Sequence, residues 1–195
     1  MIRLRIELAD IKPAIWREVV VPASITLDVL HEVIQGAMGW QNYHLQMFEI
    51  AGTTYEMPDE DGWGAEEGFL DQREFHLDKL VKQGDEFTYT YDYGDNWRHT
   101  ITVLEHRKIK DSPDTVFPSV LAGERACPPE DCGGPYRYPE FLEELSDPEH
   151  EEHESSKEWA GPFDPEIFSV PQAHAYVGAM YVWGLEKRAK YIQER

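Results

Sequence analysis

Two short stretches of this chain hold the residue types that could do chemistry. Tyr91-Asp92-Tyr93-Gly94-Asp95-Asn96-Trp97-Arg98-His99 carries two carboxylates, an indole and an imidazole. Ala126-Cys127-Pro128-Pro129-Glu130-Asp131-Cys132-Gly133-Gly134-Pro135 adds two thiols and two more carboxylates. Carboxylates with an imidazole can hold a divalent cation and generate hydroxide near neutral pH. A metal-dependent hydrolase built on Asp92, Asp95, His99, Glu130 and Asp131 is therefore one reading. Cys127 and Cys132, four residues apart, could complete a zinc site with His44 or His99. A single C-x₄-C is a sparse signal, because a structural zinc usually takes two such pairs.

The bland alternative explains the same residues without a ligand. A histidine on an aromatic strand is commonly a hydrogen-bonded core residue. Asp92 and Asp95 can fix a turn by accepting backbone N–H groups. No nucleophile elbow, phosphate loop, H-E-x-x-H or dinucleotide fingerprint is present. The leading expectation is a non-catalytic binding or adaptor module with a protein or small-molecule ligand and no required cofactor. The hydrolase, with its divalent metal, is the alternative.

These residues need elements to position them. Phe87, Tyr89, Tyr91 and Tyr93 alternate with polar residues, and Trp97, His99, Ile101 and Val103 do so after Gly94-Asp95-Asn96. Period-two patterning around turn residues predicts a β-hairpin with the odd-numbered side chains on one face. Asp92 and Arg98 should point the other way. Three prolines and two glycines in ten residues make 126–135 a rigid loop. Such a loop cannot satisfy its backbone in regular structure. Docking on the polar hairpin turn would supply partners, so Asp92, Asp95, Trp97, His99, Glu130 and Asp131 are expected to share one pocket.

Upstream, Ile2–Leu8 alternates and Ile15–Val21 reads as a second strand. Thr26 offers an N-cap for an amphipathic helix through Leu27, Leu30, Val33, Ile34, Ala37 and Met38, closed by Gly39. A third strand is expected in His44–Gly52, with Leu45, Met47 and Glu49 on one face. Thr53–Tyr55 extends it, and Phe75–Val81 carries a short strand or helical turn. The chain beyond Lys110 reads as irregular until a helix at Tyr138–Leu145. A terminal helix from Pro171 has Ala175, Met180, Trp183 and Leu185 as its apolar residues. The class is α+β: an antiparallel or mixed sheet with a β-β-α-β opening, a central aromatic hairpin and C-terminal helices. One domain over 1–195 is expected, with a helical extension from about residue 171.

Composition narrows the partners. The 195 residues are 41% hydrophobic and carry a net charge of −20. So acidic a chain has no bulk attraction to nucleic acid or anionic lipid. The basic candidates are Lys187-Arg188-Ala189-Lys190 and, weaker, His106-Arg107-Lys108 with Lys110. The acidic run from Glu56 to Gly68 reads as a solvated loop, as do His150 and His153 among their glutamates. No apolar run is long enough for a membrane helix, and the opening residues lack a signal-peptide core. A cytoplasmic location is expected.

Several stretches resemble the plasmid pRiA Orf-three-like family. They are Ile11-Lys12-Pro13-Ala14-Ile15-Trp16-Arg17, Gly39-Trp40 followed by His44-Leu45, Tyr91–His99, Cys127–Pro135 and Phe163-Asp164-Pro165-Glu166. The likeness spans roughly residues 2–170. Gln46 stands where the family carries a second histidine after His44-Leu45. The resemblance implies an α+β domain and an association with mobile elements, and no particular reaction.

Overall fold

The computed structural model of the chain describes residues 1–58, 68–107 and 116–194. Ile2–Leu8 (β1) and Trp16–Val21 (β2) pair antiparallel, with Ile2 opposite Val21. Alternate side chains of a strand share a face. Ile2, Leu4, Ile6, Val19 and Val21 are therefore buried together, while Arg3–Glu18 and Arg5–Glu7 ion pairs occupy the outer face.

Leu27–Met38 (α1) buries its whole apolar set, Leu27, Leu30, Val33, Ile34, Ala37 and Met38. Gly39 ends it in the left-handed region (φ 93°), its N–H donating to Gln35 O at 2.8 Å. Thr26 holds the N-cap position without a side-chain cap bond. The polar side of α1 is buried as well: His31 and Gln35 meet Tyr89 OH, and Glu32 lies against Gly184 and Lys187 of Val170–Gln193 (α5), which packs on α1. Gly36 permits that crossing. A Cβ there would stand 2.8 Å from Val177 Cα.

The remaining elements are Gln46–Ile50 (β3), Thr53–Glu56 (β4), Phe69–Asp71 (β5), a 3₁₀ turn at Gln72–Glu74, Leu77–Leu80 (α2), Glu86–Tyr91 (β6), Trp97–His106 (β7), Ser119–Glu124 (β8), Gly134–Ser146 (α3) and His153–Ala160 (α4). The eight strands form one sheet, ordered β5-β4-β3-β6-β7-β1-β2-β8. Every pairing is antiparallel except β4 with β5. The fold is thus α+β with a mixed sheet. Its central strands, β6, β7 and β1, bury Tyr89, Tyr91, Trp97 and Ile101.

Several expectations need correction. In β3 it is Gln46, Phe48 and Ile50 that face the core, while Leu45 and Glu49 are exposed. Leu45, Met47 and Glu49 share the outer face, as period-two alternation requires. β8 was not expected, because Ser119–Glu124 lacks alternation. It is an edge strand with only Val120 buried, and its pairing to β2 shifts register between Glu18 and Val19. β5 is similarly short and half exposed. Helix α3 starts at Gly134-Pro135, inside the supposed loop, since proline at a first turn gives up only an unpaired donor. In α5 the buried stripe is Ala173, Val177 and Gly184, while the apolar residues Ala175, Trp183 and Leu185 are exposed. The acidic residues Asp59–Glu67, together with Lys108 and Lys110, lie outside the described residues.

Candidate functional site

The hairpin of β6 and β7 pairs Tyr89 with His99 and Tyr91 with Trp97. Its odd-numbered residues Phe87, Tyr89, Tyr91, Trp97, His99, Ile101 and Val103 all face the core. His99 is completely enclosed. Its Nδ1 lies 3.3 Å from Tyr89 O, and the rings of Trp40 and Tyr89 stand 5.3 Å away. Burial pushes its pKa down to about 4, so the ring is neutral. His99 is therefore not placed to join Asp92, Asp95, Glu130 and Asp131 around an open point. Nor do His44, His99, Cys127 and Cys132 gather as a metal set; among the described residues a different group does so. Burial raises both thiols, that of Cys132 to about 12.

The turn is built differently from the strands. β6 stops at Tyr91, and Asp92 enters the left-handed region (φ 58°), as does Asn96 (φ 57°). Gly94 itself does not adopt a positive φ. Asn96 N–H donates to Asp92 O at 2.6 Å. Asp92 Oδ1 accepts Gly94 N–H at 2.9 Å and Asp95 N–H at 3.3 Å. Asp92 is consequently buried beneath the turn, and Tyr93 is exposed.

The 127–134 segment docks on this turn through backbone groups. Gly133 N–H donates to Asp95 Oδ2 at 3.1 Å. Gly134 (φ 78°) passes so close that a Cβ would lie 2.3 Å from Asp95 O. Trp40 Nε1 donates to Pro128 O at 2.9 Å. Tyr91 OH donates to Glu130 Oε1 at 2.5 Å, and Gln41 N–H donates to Glu130 Oε2 at 2.9 Å. Burial, then the Glu130 carboxylate, raise the Tyr91 phenol well above its ordinary range. Glu130 and Asp95 thus spend carboxylate oxygens on fastening the loop. Trp97 lies inside, edge-on to Tyr138 at 6.4 Å.

One group of three reaches the surface from this junction. His44 Nε2 lies 3.1 Å from Asp131 Oδ1 and 3.6 Å from Asp92 Oδ2. Among the described residues this is the group of three or more His, Cys, Asp or Glu whose ligand atoms converge, all within 4.8 Å. Asp131 is held by a left-handed backbone (φ 62°) and is mostly exposed. These residues could hold a metal ion.

His44 also opens onto a cleft of about 1030 Å³ between the 42–46 segment, β4, β5 and the end of α5. Leu45, Met57, Phe69 and Tyr93 are its exposed apolar residues. Its polar side is a connected network that sequence reasoning missed. Gln35 Nε2 donates to Tyr89 OH (3.0 Å), which lies 2.8 Å from His31 Nδ1, while His31 Nε2 is 2.7 Å from Asn42 Oδ1. Asn42 Nδ2 then donates to Glu32, which Lys187 meets at 2.7 Å. Burial lowers His31 to about 3 and raises Glu32. A neutral His31 accepts from Tyr89 and donates to Asn42. The signal available in the sequence was the polar set His31, Glu32 and Gln35 inside an otherwise apolar helix. The basic C-terminal run turns inward here: Lys187 pairs with Glu32, and Arg188 donates to Arg73 O at 2.6 Å.

His153, expected on a solvated face, is buried, with Nδ1 2.7 Å from Glu144 O. No helix among the described residues is long and apolar enough to cross a membrane.

The family model described as plasmid pRiA4b ORF-3-like protein matches residues 1–172. Uncharacterized protein y4hQ of Sinorhizobium fredii (strain NBRC 101917 / NGR234) is 41% identical over 166 residues, covering 84% of this chain and 82% of the relative. The crystal structure of a protein of unknown function, MM3350 from Methanosarcina mazei Go1, superposes with a TM-score of 0.75 at 34% identity. That match covers 87% of this chain and 95% of the other.

Proposed function

We propose that this chain, which belongs to the plasmid pRiA4b ORF-3-like protein family, is a binding module whose ligand occupies the cleft between the 42–46 segment, β4, β5 and α5. The observation that carries this reading is the cleft itself, about 1030 Å³ and lined from separate parts of the chain. Ligand sites combine an apolar lining with a few placed polar groups. Here Leu45, Met57, Phe69 and Tyr93 supply the first, and His31, Asn42, Arg73 and Lys187 the second. The ligand that fits has an apolar body and polar groups of its own, such as a small molecule or short peptide. The free cysteines Cys127 and Cys132 agree with a reducing cytoplasm. For the hydrolase reading, the five residues first grouped are divided between the core, the loop fastening and the rim, which favours binding.

A fragment panel titrated into isotopically labelled protein and followed by NMR tests this. Binders should perturb Leu45, Phe69 and Tyr93 together. Leu45→Asp and Phe69→Asp should abolish those shifts while leaving Tm unchanged. Binding elsewhere, undiminished binding by both variants, or no binder at all would overturn the proposal.

A further inference from the structure

We propose that His44, Asp92 and Asp131 form a site for a first-row divalent transition-metal ion at the edge of the cleft. Metal–nitrogen and metal–oxygen bonds of about 2.0–2.2 Å set adjacent ligand atoms roughly 3.0–3.5 Å apart, for octahedral or tetrahedral angles. Of the separations from His44 Nε2, 3.1 Å to Asp131 Oδ1 falls within that spacing and 3.6 Å to Asp92 Oδ2 lies just above it. His44 Nε2 is shut off from water, yet no hydrogen bond to either carboxylate is aligned. A nitrogen facing two oxygens without such a bond is arranged around a point between them.

Charge and support agree. Among the described residues no lysine or arginine pairs with Asp92 or Asp131, so His44 is their one basic partner. Asp92 is also oriented from behind. Its Oδ1 is held by the Gly94 and Asp95 N–H groups, which leaves Oδ2 to face His44. One imidazole nitrogen and two carboxylate oxygens suit Zn²⁺, Mn²⁺ or Co²⁺. Ca²⁺ takes six to eight oxygens, and Mg²⁺ gives up its water reluctantly. Three protein ligands leave positions open, the pattern of sites that bind a further molecule. His44 lines the cleft and Asp131 is mostly exposed, so the site lies between the cleft edge and the surface.

Metal uptake stands or falls without any cleft ligand, and its measurement is separate from the fragment titration. Metal-stripped protein is titrated with Co²⁺ by absorbance and with Zn²⁺ by calorimetry. About one equivalent should bind, giving ligand-field bands that include nitrogen coordination. His44→Ala and Asp131→Asn should each weaken binding by about tenfold or more. Both lie at the rim, and their Tm without metal should match the parent. Asp92→Asn is a weaker tool because Asp92 also closes the turn. Absence of saturable binding overturns the site. So does binding that survives His44→Ala, or that is lost instead in Cys127→Ser or Cys132→Ser.

Discussion

His99 and His44 lie on either side of one hairpin turn, and the structure gives them opposite circumstances. His99 sits on β7 opposite Tyr89, enclosed by rings, with burial forcing the imidazole neutral. His44 stands at the rim of the cleft, with its Nε2 facing the carboxylates of Asp92 and Asp131. Asp92 and Trp97 repeat the contrast five residues apart. One closes the turn and the other fills the core. A histidine inside the paired strands is scaffold, whereas one in the segment beside the turn is a candidate ligand.

That contrast can be broken from the interior side first. Trp97→Ala removes a buried indole that packs against Trp40 and Tyr138. It should cost about 4 kcal/mol in denaturant unfolding. A loss below about 1 kcal/mol would show that the hairpin's inner face is not core. The junction between the two regions comes next. Gly134→Ala adds a Cβ 2.3 Å from Asp95 O at φ 78°. It should cost about 2 kcal/mol and detach the 127–134 segment, seen as faster amide exchange at Gly133. Unchanged exchange there would mean that the docking does not depend on close approach.

The smallest effect sharpens the comparison by pH. The pKa of His99 is about 4 in the folded chain, against an ordinary value of 6.5. The unfolded chain takes up the proton first as pH falls, so stability is full above the unfolded value and is lost as pH drops toward 4. The slope is at most about 1.4 kcal/mol per pH unit from this residue. His31, at about 3, adds a similar slope. His99→Gln should show a shallower loss between pH 6.5 and 4.5 than the parent. The relief of repulsion among the many carboxylates acts on both chains alike and cancels in the difference. Identical slopes would mean that His99 is not held neutral.

Much of the scaffold was legible before any coordinates. The alternation in Ile2–Leu8, the three-four spacing from Leu27 to Met38 and the hairpin's odd-numbered aromatics are local patterns with local geometric causes. The docking of a proline-stiffened loop on a polar turn was also an accessible inference, since its backbone needs partners. Which face of β3 meets the core was not assigned from the sequence, although the alternation that groups Leu45, Met47 and Glu49 was legible. Nor was β8, whose sequence has no alternation and whose pairing comes only from an available edge on β2. The buried stripe of α5 was not legible either, since the apolar residues Ala175, Trp183 and Leu185 are exposed. The helix buries the stripe that meets α1 at Gly36, which includes a glycine and an alanine, because close crossing rewards small residues over large ones.

What the sequence by itself determined is the set of elements with a strong period and the pool of chemically capable residues. Hydrophobic alternation and turn chemistry act over a few bonds, so they can be read along the chain. Tertiary structure alone decided which of those residues meet. His44, Asp92 and Asp131 come from a loop, a strand end and a stiff segment, and no spacing relates them. They converge because Tyr91 OH accepts Tyr43 N–H at 3.0 Å and donates to Glu130, tying two distant loops to one strand end. His99 was excluded from that company by the pleat of β7, which turned it toward the core.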